Sequence, residues 1–129
     1  MTDPFAYASA VDNVGTVGSH VGVVREGIVD KSRLFSQLVE VLRLPEHFGA
    51  NWDALDECLR DLSWLAEHRV VLFHEALPDL DEHGLTTYLE ILRDAVLDWR
   101  GDANDELVVA FRPEARETIR RLLGGMSGS

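Results

Sequence analysis

The amino-acid sequence predicts an α/β fold: a small three-stranded parallel sheet packed with helices, followed by an extra C-terminal helix. Three observations carry this expectation. Short runs rich in β-branched residues, at 21–24, 69–73 and 106–111, alternate with longer segments of helical period. The run Arg69-Val-Val-Leu-Phe73 is apolar almost without interruption, as in a parallel strand buried on both faces. The 129 residues suffice for one hydrophobic core, and helices alternating with strands favour right-handed crossovers between parallel neighbours.

Residues 1–18, rich in small residues and scattered valines, are expected to form a loosely ordered arm with at most one short strand. A single domain then spans 19–123. Val21 to Val24, with Ile28 and Val29 beyond, form the first strand, weakened by Gly22 and Gly27. Asp30 or Ser32 can cap a helix whose stripe is Leu34, Phe35, Leu38, Val39 and Leu42, and Pro45 stops it. Asn51 is a good N-cap for a second helix from Trp52 to about Leu62.

The strand at 69–73 precedes a polar, acidic loop from Pro78 to Gly84. Leu85, Tyr88, Leu89, Leu92, Val96 and Trp99 mark a third helix that ends near Gly101. Glu106 to Phe111 is the last strand. Pro113 stands where a first-turn proline belongs, and Ala115, Ile119, Leu122 and Leu123 make a final amphipathic helix before a flexible tail at 124–129.

Charge narrows the function classes. Twenty-three acids against twelve bases give a formal net charge of −11, which repels nucleic-acid phosphates and anionic membrane and attracts basic proteins. No apolar run approaches the ~20 residues of a membrane span. The first ten residues carry an early acid, Asp3, and lack the basic-then-apolar order of a secretory signal. With Cys58 as the single cysteine there is no intramolecular disulfide, so the expected compartment is the cytoplasm.

On a helical wheel, Ala54, Leu55, Cys58, Leu59 and Leu62 collect on one side of the second helix. Asp53, Asp56, Glu57 and Asp61 collect on the other, with Arg60 as the only base among them. An acidic outer face suits a solvated helix. It also suits recognition of Lys and Arg on a partner, because the acids crowd the positive end of the helix dipole and directly follow a loop holding His47, Phe48 and Asn51. Trp52 lies at the edge of the two faces, where core packing and interface contact are about equally matched.

The run Leu44-Pro-Glu-His-Phe-Gly-Ala-Asn-Trp-Asp-Ala-Leu-Asp-Glu-Cys-Leu59 resembles the signature of the barstar family, intracellular inhibitors of barnase-type microbial ribonucleases. The resemblance extends more loosely from about Val21 to Phe111, leaving the arm and the helix after Pro113 outside. It implies a protein that blocks a nuclease active site with the acidic helix and the loop before it. Asp53 and Glu57 would meet the bases that hold RNA phosphate, and Asp56 and Asp94 would extend the negative surface. His47, Phe48, Gly49, Asn51 and Trp52 would shape the loop and its contact. Two positions depart from the pattern: His47 stands in place of a tyrosine and Asp56 in place of a tryptophan, so the target is open even within the family.

The expected partner is therefore a basic ribonuclease or toxin protein, bound one to one by a chain that is a monomer when free. The alternative is a barstar-like interaction module for a non-ribonuclease toxin or a regulatory partner. No cofactor, metal, direct nucleic-acid contact or membrane contact is expected. His74-Glu75 and the loop Asp79 to His83 carry metal-ligating types, but their spacing fits neither a zinc signature nor a full calcium loop. With no phosphate loop and no nucleophile elbow, a catalytic role such as a metal-dependent hydrolase is not expected.

Overall fold

Strands β1 (Ala6–Tyr7), β2 (His20–Val24), β3 (Arg69–His74) and β4 (Glu106–Phe111) form one all-parallel sheet in the order β1-β4-β3-β2. The coordinates are those of a computed structural model that describes residues 4–15, 17–45, 48–101 and 104–124. Among the described residues four α-helices accompany the sheet: α1 (Lys31–Leu42), α2 (Trp52–Asp61), α3 (Glu82–Trp99) and the short α4 (Arg116–Ile119). The last segment is irregular rather than one uniform helix. A 3-10 turn, Pro113–Ala115, leads into α4, and a π turn, Arg120–Gly124, follows it. Among the described residues no helix is long and apolar enough to cross a membrane.

Among the described residues the sheet has four strands, not the three expected. The additional strand, β1, comes from the segment read as a loose arm, and it pairs Ala6 with Ala110 and Tyr7 with Phe111. Two residues carry no alternation to read, and their partners lie a hundred positions away in the chain.

Strand order explains where the helices sit. From β2 to β3 to β4 the chain steps across the sheet in one direction, so right-handed crossovers put α1, α2 and α3 on the same face. There Val24, Val70, Leu72, Leu107, Val109 and Phe111 meet Leu34, Leu38, Leu55, Leu59, Leu89 and Leu92 in one core, joined by Ile119 and Leu122. Gly22 serves this packing. A Cβ built on it would lie 3.1 Å from Val41 Cβ, so glycine lets α1 approach the strand.

From β1 to β2 the chain steps the other way, and residues 8–15 and 17–19 lie across the opposite face. Val11 and Val14 pack there against a second apolar cluster of Ala8, Phe73 and Ala110, with Ala6 and Val23 at its edge. Arg69 fastens this crossing segment, donating through Nη1 to the Val14 carbonyl at 2.9 Å and to Ser19 Oγ at 3.2 Å. Parallel sheets are stable only with both faces covered, and this segment, with a 3-10 turn at Val11–Asn13, covers the face opposite α1, α2 and α3.

Candidate protein-binding site

Helix α2 starts where a side chain first satisfies its free amides. Asn51 has extended backbone and its Oδ1 accepts from Ala54 N at 2.8 Å. Asp53 occupies the first turn, at the positive end of the helix dipole. The helix ends at Leu62, which takes a left-handed φ of 48° and donates its amide to the Cys58 carbonyl. Leu55 and Leu59 are fully buried, whereas Asp53, Glu57 and Asp61 are exposed.

The loop before α2 turns its aromatic side chain inward. Phe48 packs edge-on against Phe35 of α1, with ring centroids 5.7 Å apart, and its amide donates to the Pro45 carbonyl at 2.9 Å. Gly49 is exposed, and its carbonyl accepts from Asn51 Nδ2 at 3.3 Å. A Cβ on Gly49 would come 3.1 Å from that nitrogen, so a side chain here would push on the cap. Ala50 has φ of 51°, a left-handed conformation that costs an L-residue roughly 1–2 kcal/mol. His47, expected to face a partner, lies outside the described residues.

Trp52 points largely into the protein. It meets Phe35 edge-on at 5.1 Å, Tyr88 of α3 at 6.2 Å, and carries the Lys31 ammonium 5.8 Å from its ring centroid. The choice the wheel left open is thus weighted towards packing, with one edge left half-buried.

The acids divide into two kinds. Asp53 and Glu57 lie one turn apart on the exposed face and have no ion pair among the described residues. Asp56 instead accepts from Arg60 Nε at 3.1 Å, and Arg60 also reaches Asp98 of α3 at 4.0 Å. The hydrogen bond that Arg60 donates to Asp56, then the charge of Asp56, and then those of Asp98 and Asp94 hold the Arg60 guanidinium still more firmly protonated. Asp94 is thereby brought to the flank of α2, although its own carboxylate pairs with Arg93 at 3.1 Å. Asp98 is a member of this cluster that the sequence reading passed over; its i, i+4 spacing from Asp94 was the available signal.

Cys58 is half-buried against the core, and burial, then Asp61 and Glu57, push its thiol upward, away from the reactive thiolate. Trp99 fixes the far end of α2, donating through Nε1 to the Leu59 carbonyl at 2.9 Å.

Several of the metal-ligating residue types have partners within the protein. His74 is fully buried, with Nδ1 3.1 Å from the Ala110 carbonyl and Nε2 2.7 Å from the Tyr88 hydroxyl. Glu75 accepts from the Glu26 amide at 3.1 Å, and Asp81 caps α3 through Gly84 N at 2.7 Å. A cavity of about 550 Å³ lies between Phe5, His68, Arg69, Trp99 and Asn104, and none of the site acids lines it. Asp61 and Asp98 line a small cavity of about 130 Å³ with Arg60 and Trp99, whereas Asp53 and Glu57 are exposed on the outer face of α2, where a partner can reach them.

Residues 20–120 match the family model described as Barstar (barnase inhibitor). The match reaches past Pro113 and takes in α4, which the sequence resemblance had left outside. Comparison with curated proteins gives no match.

Proposed function

The chain belongs to the barstar family, and we propose that it inhibits a basic ribonuclease by seating α2 and the loop before it in the enzyme's active site. The observation that carries this reading is the pair Asp53 and Glu57: two exposed carboxylates on one helical turn, without ion pairs among the described residues, beside a loop packed on the core. Carboxylates left unpaired in the free protein are available to a partner's Lys and Arg, and a net charge of −11 steers such a partner towards them.

In this reading Asp53 and Glu57 pair with the bases that otherwise hold RNA phosphate. Asp94, with Asp98 behind it, extends the negative field. Asp56 acts more weakly, because Arg60 already takes its charge. Phe48, Gly49, Asn51 and Trp52 set the shape of the loop, with His47 in the same segment. The inhibitor works in the cytoplasm as a monomer, forms a one-to-one complex and has no catalytic role, protecting the cell that makes the nuclease.

The test is inhibition of RNA cleavage by a panel of barnase-type ribonucleases. Inhibition at near-equal stoichiometry, lost in a folded Asp53→Ala, Glu57→Ala variant, supports the reading. Absence of inhibition across the panel contradicts it and turns the search to a toxin or regulatory partner of another kind, sought by pull-down from the native cell.

A further inference from the structure

The backbone hydrogen bonds and cap described for residues 48–55 are local. Phe48 N reaches Pro45, Asn51 Nδ2 reaches Gly49, and Ala54 N and Leu55 N reach Asn51. They give the loop its shape without tying it to the body of the protein, and Ala50 adds a left-handed residue in its middle. The connection to the body runs through rings. Phe35 of α1 is only 4% exposed, and it meets Phe48 at 5.7 Å and Trp52 at 5.1 Å, at interplanar angles of 84° and 72°. One side chain thus holds both ends of the segment that carries Gly49, Ala50 and Asn51. Trp52 is backed on its other side by Tyr88, which His74 fixes by a hydrogen bond.

We infer that Phe35, which lies on the helix before the site and has the burial of an ordinary core residue, is the positioning residue that holds the loop and the first turn of α2 in their partner-ready geometry. For the identity of the partner this rests on the inhibitor reading above; for the geometry it does not. An aromatic ring offers an edge and a face to two neighbours at once. A leucine fills much of the volume but cannot hold two rings at fixed angles. The loop would then occupy its competent arrangement for only part of the time, and apparent affinity falls by that fraction.

The experiment compares Phe35→Leu with Ile119→Ala, a control that removes buried apolar contact on α4, outside the loop. Amide hydrogen exchange is measured on the free proteins, and binding is measured against a ribonuclease that the wild type inhibits. In Phe35→Leu the amides of residues 48–54 exchange faster than in either wild type or the control. The dissociation constant rises about tenfold, while the salt dependence of association is unchanged because Asp53 and Glu57 remain. Exchange at 48–54 equal to that of the control overturns the inference, as does wild-type affinity in Phe35→Leu. If the wild type inhibits no ribonuclease, the inhibitor reading fails, and faster exchange confined to the loop still upholds the positioning role.

Discussion

The Tyr88 hydroxyl lies 2.7 Å from His74 Nε2, and both side chains are fully buried. The contact at the other ring nitrogen fixes the direction of this bond. The Ala110 carbonyl can only accept, so Nδ1 carries the proton and Nε2 accepts from Tyr88. His74 also stacks on Phe111 at 4.3 Å, so the neutral imidazole is held on three sides. Burial lowers its pKa from 6.5 to about 4, partly offset by the Ala110 hydrogen bond, and burial raises that of Tyr88.

This pair predicts an acid-sensitive fold. Between about pH 4 and 6.5 the unfolded chain protonates His74 and the folded chain does not, so the unfolded state binds more protons and stability rises with pH. The contribution is complete above pH 6.5 and is lost as pH falls towards 4, by roughly 3 kcal/mol in all at about 1.4 kcal/mol per unit. Urea unfolding across this range checks it. A His74→Phe, Tyr88→Phe double variant removes both hydrogen-bonding groups together and should flatten the dependence. An equally steep profile in that variant would assign the acid lability to carboxylates instead.

The two kinds of acid predict a graded charge series. Asp53→Ala and Glu57→Ala should each weaken partner binding by about 2–5 kcal/mol, the usual loss when one member of a buried charge pair is removed. They should also lessen its dependence on salt. The double variant Asp56→Ala, Arg60→Ala leaves net charge unchanged and removes a pair already closed within the protein. Its affinity should stay within about threefold of wild type, by the small worth of a surface pair. Calorimetry at two salt concentrations measures the series, and equal losses in all three variants would refute the distinction.

Loss of the helix cap should act on the site through local stability. Asn51→Ala removes the 2.8 Å acceptor for the Ala54 amide and should cost about 1 kcal/mol. Gly49→Ala should disturb the same cap, because its Cβ crowds Asn51 Nδ2. Thermal melting of both variants provides the check, with a lower midpoint expected for each. An unchanged midpoint in Asn51→Ala would mean the cap is not stabilising.

Much of this was legible before any coordinates. Asn51 and Asp30 are side chains with one strong local use, and each caps the helix its position predicts. Periodicity separated Leu55 and Leu59 from Asp53 and Glu57 because a helix maps sequence spacing directly onto faces. Features made by distant pairing were less legible: residues 1–18 allow one short strand but indicate neither its position nor its partner. Strand β1 exists only because Ala6 and Tyr7 find β4. The Asp56–Arg60 pair is an i, i+4 contact within α2, but the bridge from Arg60 to Asp98 of α3 arises only when the two helices pack. Phe35 looked like one more member of a core stripe, since a helical wheel records that a residue is buried but not which rings it holds.

The most direct test of the central claim is a titration of a barnase-type ribonuclease with the purified protein, read as RNA cleavage. The predicted result is complete inhibition near one equivalent by the wild type and little by the folded Asp53→Ala, Glu57→Ala variant. Cleavage left unchanged by the wild type across a panel of such enzymes, or inhibition retained in full by the double variant, would contradict it.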